Sequence, residues 1–180
     1  MATVIEQTGI DWVMELTDHD LEELCQATEE AILDGNGFGW LTPPPRRVLE
    51  SFWHGVLLVP ERELIVARLE GSIVGSAQLQ RPSSNNEAQS FAARITTFFL
   101  APWARAHGLG QAMLDAMERR ARESGFATLE LDVRASQSAA IRLYERAGFR
   151  RWATKDKYAF VGGQFVPGYF FETDLGASSR

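Results

Sequence analysis

An apolar run leads directly into a glycine-containing loop and then into an amphipathic helix, and this succession limits what the chain can fold into. The run is Phe98-Phe99-Leu100-Ala101-Pro102, and the loop is Arg105-Ala106-His107-Gly108-Leu109-Gly110-Gln111. A strand, a loop with convergent backbone N–H groups and a helix N-terminus form an anion cradle, because unpaired amides and the helix dipole both favour negative charge. The loop therefore predicts a diphosphate site.

A second pattern follows the loop, Gln137-Ser138-Ala139-Ala140-Ile141-Arg142-Leu143-Tyr144-Glu145-Arg146-Ala147-Gly148-Phe149. The pairing of R-x-x-G-x-G with A-I-x-L-Y-x-x-x-G-F resembles the GNAT superfamily of acyl-CoA-dependent N-acetyltransferases. The specific part of the resemblance covers residues 105 to 149, and a weaker similarity extends from about residue 10 to 175. Three segments (37–40, 76–79 and 94–102) loosely resemble a bacterial branch that includes tabtoxin-resistance acetyltransferases, which acetylate an amino-acid-like antibiotic.

Hydrophobic periodicity and turn residues predict the element order β α α β β β α β α β β. This order matches a single acyltransferase domain over residues 1–180, with a core of about 10–175. The resemblance implies the GNAT fold of the α/β (α+β) class. That fold has a mixed, mostly antiparallel, twisted sheet of about seven strands with helices on both faces.

Local signals predict where several elements begin and end. A strand is expected over 10–16, and Thr17 or Asp18 caps the first helix, which ends at the turn 34–37. Ser136 is the expected cap of the helix that Gly148 terminates. The last hairpin turns at Gly162-Gly163, Pro167 predicts an edge strand or a bulge, and residues 176–180 are expected to fray.

Composition excludes several classes of function. The 180 residues are 45% hydrophobic, which is enough for one sizeable core. A formal net charge of -6 argues against binding nucleic acid by phosphate neutralisation. The N-terminus has no signal-peptide pattern and no window approaches 18 apolar residues, so we expect a cytoplasmic protein without membrane association.

The residues that commonly hold metals are few and scattered. Cys25 is the only cysteine and shares an apolar helical face, which predicts a small buried side chain rather than a nucleophile. His19, His54 and His107 lack the spacing of a zinc helix. The sequence therefore predicts no metal site.

Coenzyme A needs a phosphate site, a partner for its pantetheine amides and a proton for its thiolate. Gly108 and Gly110 let backbone amides approach the phosphates, and Arg105 adds positive charge. The resemblance implies acetyl-CoA as the acyl donor and the backbone of 98–100 as the pantetheine partner. The residues expected to contact it are Phe98, Phe99, Leu100, Arg105, Ala106, His107, Gly108, Leu109, Gly110, Gln111, Gln137 and Ala140.

The resemblance also implies that Tyr144 protonates the departing thiolate, and a phenol is a competent donor in that position. The alternative is that Tyr144 only packs in the core. At position 137 the family often has Asn, whereas this chain has Gln137, which keeps both amide functions.

One departure from the family concerns the general base. Many members have a Glu where this chain has Arg94, and an arginine cannot act as a base at neutral pH. Glu87, Glu130, Asp132 or a water chain remain as alternatives. Arg94 either binds an acceptor carboxylate or is an ordinary surface residue, and Arg94 and Glu87 are the predicted acceptor-site residues.

The leading interpretation is transfer of acetyl to a primary amine of a small, amino-acid-like molecule by direct attack in a ternary complex. A protein or peptide N-acetyltransferase and a non-catalytic acyl-CoA-binding module are the alternatives. A peptide needs an open groove, whereas the aromatic residues of 38–53 suggest a closed one, unless they pack in the core. Homodimers are frequent in the superfamily, and Tyr169-Phe170-Phe171 is the expected contact.

Overall fold

The computed structural model describes residues 7–35 and 38–176, which form one seven-stranded sheet and four α-helices in the predicted order. The elements are β1 (Thr8–Val13), α1 (Asp18–Leu33), α2 (Arg46–Leu58), β2 (Arg62–Leu69), β3 (Ser72–Gln80), β4 (Ala92–Leu100), α3 (Leu109–Glu123), β5 (Thr128–Arg134), α4 (Ser138–Arg146), β6 (Arg150–Val161) and β7 (Gln164–Asp174).

The sheet has the strand order β1-β2-β3-β4-β5-β7-β6. All neighbours pair antiparallel except β4 and β5, which are parallel. Successive residues of a strand point to opposite faces. Ile65 and Val66 of β2 accordingly belong to two different apolar clusters, one containing residues of α3 and α4 and the other residues of α1 and α2. The mixed sheet with helices on both faces confirms the predicted fold.

A bulge in β4 reverses which face its side chains occupy. Between Gln78↔Thr96 and Ser76↔Phe99, β4 has one residue more than β3, and Thr97 has a left-handed φ of 53°. A regular strand would place Ile95 and Phe99 on the same face. Here Ile95 packs in the α3–α4 cluster and Phe99 in the α1–α2 cluster, so the bulge redirects the segment 98–100.

The aromatic residues between β1 and β2 are core residues. Phe38 and Trp53 are buried, and Trp40 and Phe52 pack against the same cluster. Trp53 also donates a hydrogen bond from Nε1 to Thr28 Oγ1 at 3.2 Å. This confirms the core interpretation of these residues and removes the argument for a closed acceptor groove. Cys25 is likewise buried, and burial raises the pKa of its thiol to about 11.

Two predicted boundaries are wrong. The first strand ends at Val13, not at residue 16, because its last pairing partner is Leu64 near the beginning of β2. The cap of α4 is Gln137, not Ser136, because residues 135 and 136 form the turn that leaves β5. Thr17 does cap α1, by accepting a hydrogen bond from the Asp20 amide at 3.1 Å.

Pro167 lies in β7, an interior strand, and the bulge interpretation is the correct one. The β6–β7 register breaks between Lys155 and Ala159, opposite the stretch that contains Pro167. Residues 36 and 37 of the expected turn at 34–37 lie outside the described residues, as do 177–180 of the end expected to fray. No helix in the described ranges is long and apolar enough to span a membrane.

Candidate active site

The sheet opens between β4 and β5. These parallel strands pair only through Ala92↔Thr128, Ala93↔Leu129 and Arg94↔Glu130, and beyond Arg94 the ladder stops. The Thr97 bulge lies just after this point and turns β4 away from its neighbour. The two strands therefore splay apart beyond Arg94, and the splay leaves an opening in the middle of the sheet.

A groove of about 530 Å³ occupies this opening. Eleven of the twelve residues expected to contact the acyl donor line it, and His107 is the exception. The His107 Nδ1 atom instead lies 3.0 Å from the Ala104 carbonyl oxygen. Sequence reasoning did not assign six further lining residues, which are Asp34, Ser136, Ser138, Ala139, Leu143 and Arg146.

The loop before α3 has the geometry of an anion cradle. Ala106 and Gly108 both adopt left-handed φ values, of 68° and 74°, and left-handed residues in a turn are typical of backbone anion-binding loops. Gly108 is the N-cap of α3 and provides no side-chain cap, so the first amides of the helix remain available to a ligand. Gly110 lies against α4, where a Cβ atom would be only 3.2 Å from Leu143 Cδ2. The loop therefore combines exposed amides with close helix packing.

Charged side chains flank this cradle. Arg105 and Arg146 line the groove, and Arg105 Nη2 forms an ion pair with Asp34 Oδ2 at 2.7 Å. At the start of α4, Gln137 provides no side-chain cap and its Nε2 donates a hydrogen bond to the Gly35 carbonyl. Asp34 and Gly35, which follow α1, thus contact Arg105 in the loop before α3 and Gln137 at the start of α4.

A smaller cavity of about 140 Å³ adjoins the groove and shares Phe98, Gln137 and Ala140 with it. Seven of its lining residues have side chains able to form hydrogen bonds: Thr96, Thr97, Asp132, Arg134, Gln137, Tyr144 and Tyr158. Thr96 Oγ1 is buried without a hydrogen-bond partner among the described residues. The groove therefore leads into a polar chamber, which we call the reaction cavity.

Tyr144 is a core residue that also lines the reaction cavity. Its ring packs against Phe98, Phe149 and Phe171 at centroid distances of 5.8, 6.1 and 6.2 Å. Burial raises the pKa of Tyr144 above its ordinary value, and the nearby Asp132 carboxylate raises it further. The phenol therefore keeps its proton at neutral pH, and the packing and acid interpretations are compatible in geometry.

Among the three carboxylates considered as a base, only Asp132 lines the cavity of Tyr144. Arg94 stands between Glu130 and Asp132, with guanidinium nitrogens 3.7 Å and 3.8 Å from their carboxylate oxygens. Glu87 lies in a 3₁₀ turn and lines a separate surface depression with Phe126. The structure brings Asp132 to Tyr144 and keeps Glu87 apart from it.

Tyr158 was missed by sequence reasoning. It lies in β6, outside both motifs, and its hydroxyl donates a hydrogen bond to Asp132 Oδ2. No local pattern marks it, because its position depends on the β6 bulge and on the pairing of β7 with β5. Among the described residues, no group of three or more His, Cys, Asp or Glu side chains is arranged to hold a metal.

The chain matches the model of the acetyltransferase (GNAT) family over residues 21–149. It is 56% identical over 118 residues to an uncharacterized N-acetyltransferase encoded in the hisH-hisA intergenic region of Azospirillum brasilense, covering 66% of this chain and 70% of that protein. It is 45% identical over 51 residues to the ribosomal protein bS18-alanine N-acetyltransferase of Escherichia coli K12, covering 28% of this chain and 34% of that protein.

The fold is similar to that of a phosphinothricin acetyltransferase from Sinorhizobium meliloti solved in complex with acetyl-CoA. The TM-score is 0.78 at 20% identity, over 96% of this chain and 91% of that one. Likeness at this identity concerns the fold alone. With the family model matched across α1 to α4 and the split sheet in place, the chain belongs to the GNAT family of acetyltransferases.

Proposed function

We propose that the protein transfers the acetyl group of acetyl-CoA to a primary amine by direct attack, with both substrates bound together. One observation carries the proposal: the groove beside the anion cradle opens into a cavity lined by Asp132 and Tyr144. A donor in the groove places its acyl end where a carboxylate and a phenol meet. The lone cysteine is buried, and direct attack needs no nucleophilic residue.

The groove suits coenzyme A in charge and shape. The uncapped amides of α3, together with Arg105 and Arg146, provide donors and positive charge for a diphosphate. The segment 98–100 has no ladder partner on β5 and offers backbone groups to the pantetheine amides. Acetyl-CoA supplies the activated acetyl group, and the chain supplies orientation and the two proton transfers.

Asp132 accepts a proton from the amine nitrogen as the new N–C bond forms. Tyr144 donates a proton to the sulfur as the C–S bond breaks and then recovers one from solvent. Asp132 then releases its proton to solvent. The products are the N-acetylated amine and free coenzyme A, and an acceptor that binds as an ammonium ion loses one further proton to solvent before it attacks. Burial of Tyr144 does not prevent this step, because the same surroundings destabilise the thiolate as well as the phenolate.

The reaction cavity and its surroundings support a small acceptor. A volume of about 140 Å³ holds an amine and its nearest atoms, which fits a small amino-acid-like molecule. A peptide N-terminus is the second candidate, because the aromatic residues of 38–53 pack in the core and so provide no evidence of a closed groove. The guanidinium nitrogens of Arg94 are 3.7 Å and 3.8 Å from the carboxylate oxygens of Glu130 and Asp132, which is beyond hydrogen-bonding distance. The guanidinium is therefore a candidate partner for an acceptor carboxylate.

A panel of acceptors tests this function. Thiol release from acetyl-CoA is measured with L-alanine, L-alaninamide, spermidine, kanamycin and a tetrapeptide that begins with alanine. We expect L-alanine to exceed L-alaninamide in kcat/KM, and Arg94→Met to remove that preference by raising KM. A preference for the tetrapeptide would favour the peptide candidate. The absence of thiol release with every compound would contradict acetyl transfer to these amines.

We expect the anion cradle to determine the affinity of the protein for acetyl-CoA. Gly108→Asp should raise the Kd for acetyl-CoA by at least ~100-fold, or roughly 2.7 kcal/mol, since it adds a like charge beside the diphosphate. Gly108→Asn is the matched control, because it adds a side chain of similar shape and tolerates the left-handed φ of 74° without the charge. We expect Gly108→Asn to weaken binding much less in titration calorimetry.

A second control separates folding from binding. Gly125 has a φ of 82° just beyond α3, with open space around it. Gly125→Asp introduces the same residue in a similar backbone conformation away from the groove, and we expect acetyl-CoA to bind it normally. Equal Kd values for Gly108→Asp and the wild type would exclude the loop as the diphosphate site.

A further inference from the structure

The ring of Tyr158 occupies a space that only a glycine on the neighbouring strand leaves open. A Cβ atom at Gly168 of β7 would overlap the Tyr158 ring. The β6 bulge between Lys155 and Ala159 places Tyr158 over this glycine, and Phe170 packs edge-on against the ring at a centroid distance of 6.1 Å. Three features of the hairpin therefore hold this ring in one orientation.

From this position the Tyr158 hydroxyl hydrogen-bonds to Asp132 in the reaction cavity. Burial raises the pKa of Tyr158, and the bond to Asp132 raises it further, so the hydroxyl keeps its proton and acts as the donor. Arg94 is 3.8 Å from the same carboxylate, which is beyond hydrogen-bonding distance. Within 7–35 and 38–176, Tyr158 is the one residue whose side chain hydrogen-bonds to the Asp132 side chain.

Other charged and titratable groups also surround Asp132. They are Arg94 from β4, Glu130 and Arg134 from β5, and Tyr144 from α4, while β7 presents the uncharged Phe170. None of these groups fixes the orientation of the carboxylate as a hydrogen bond does.

We propose that Tyr158 is a positioning residue, which holds the Asp132 carboxylate toward the amine. The inference rests on the proposed function, in which Asp132 accepts the amine proton. Tyr158 transfers no proton itself in this scheme. Its hydroxyl stays bonded to Asp132 Oδ2, which leaves the other oxygen to receive the proton.

Infrared difference titration tests the contact without any turnover. The carboxyl band of Asp132 is isolated by subtracting the spectrum of Asp132→Asn, in the wild type and in Tyr158→Phe. We expect Tyr158→Phe to move the protonation midpoint of this band to higher pH, because the ionised carboxylate loses a hydrogen-bond donor. Gly168→Ala should produce the same change by displacing the ring.

Tyr169→Phe is the matched control, because Tyr169 lies on β7 with its ring against Arg151, where Arg151 Cζ is 4.4 Å from the ring centroid. We expect no shift for Tyr169→Phe.

With the best acceptor of the panel, Tyr158→Phe should lower kcat about 10-fold, leave KM nearly unchanged and move the acidic limb of the kcat profile to higher pH. Thermal unfolding identifies any variant that fails to fold, and Gly168→Ala provides an independent test.

An unmoved Asp132 band in folded Tyr158→Phe, or an equal shift in Tyr169→Phe, would overturn the positioning role. A rise in KM with an unchanged pH profile would overturn it too, because it would make Tyr158 a direct acceptor contact. Failure of the wild type to release thiol with any panel compound is a different result. It would contradict the proposed acetyl transfer, while the infrared titration still decides whether Tyr158 controls Asp132.

Discussion

Asp132→Asn should reduce kcat by about 10²–10⁴-fold, the usual contribution of a general base, while the Kd for acetyl-CoA stays unchanged. Asparagine has nearly the shape of aspartate and still accepts a hydrogen bond from Tyr158, so the variant removes the proton acceptor and little else. Stopped-flow thiol release and titration calorimetry measure the two quantities.

Glu130→Gln is the matched control for this variant. Glu130 lies two residues away on the same strand, faces the same side of the sheet and also contacts Arg94, at 3.7 Å, but it does not line the reaction cavity. We expect Glu130→Gln to retain activity within a few-fold. The deficit of Asp132→Asn should persist as pH approaches the pKa of the acceptor amine, because an amine that is already neutral still loses a proton as the N–C bond forms. Activity within a few-fold of the wild type in Asp132→Asn would contradict the assignment.

Tyr144→Phe should lower kcat by about 10²–10⁴-fold at unchanged acetyl-CoA affinity. The substitution keeps the ring that packs against Phe98, Phe149 and Phe171, and it removes only the hydroxyl group that carries the proton. The free energy of unfolding should therefore change by less than about 1.5 kcal/mol, the upper range for a typical hydrogen bond. Chemical denaturation measures that change, and turnover is compared under conditions where chemistry limits the rate.

The pH profile gives this prediction a second readout. Because burial raises the pKa of Tyr144, the acid should remain mostly protonated at pH 10, where an ordinary tyrosine is about half ionised. We therefore expect no loss of kcat between pH 8 and pH 10 from this group in the wild type. Wild-type turnover in Tyr144→Phe would show that the tyrosine is only a packing residue.

The groove could be located from sequence because nearly all of its lining residues lie in two short segments of the chain, within 98–111 and 136–146. The loop 105–111 lies between a strand and a helix that its own periodicity predicts, and its glycines act on their local backbone. Sequence patterns predicted less well the contacts and helix ends that depend on residues distant in the chain. Asp34 meets Arg105 only because α1 ends at the groove, and α4 begins one residue after Gln137 because of the turn that leaves β5.

The sequence by itself determined the family, the order of the elements and the position of the loop beside the groove, and it predicted a role for Tyr144, since each depends on residues close together in the chain. Only the tertiary structure decided that Asp132, rather than Glu87 or Glu130, shares a cavity with Tyr144. The bulge at Thr97 is formed by a residue with no preference for left-handed φ, and the Tyr158 contact joins residues 26 positions apart. Such distances depend on strand pairing and register, which no local pattern encodes.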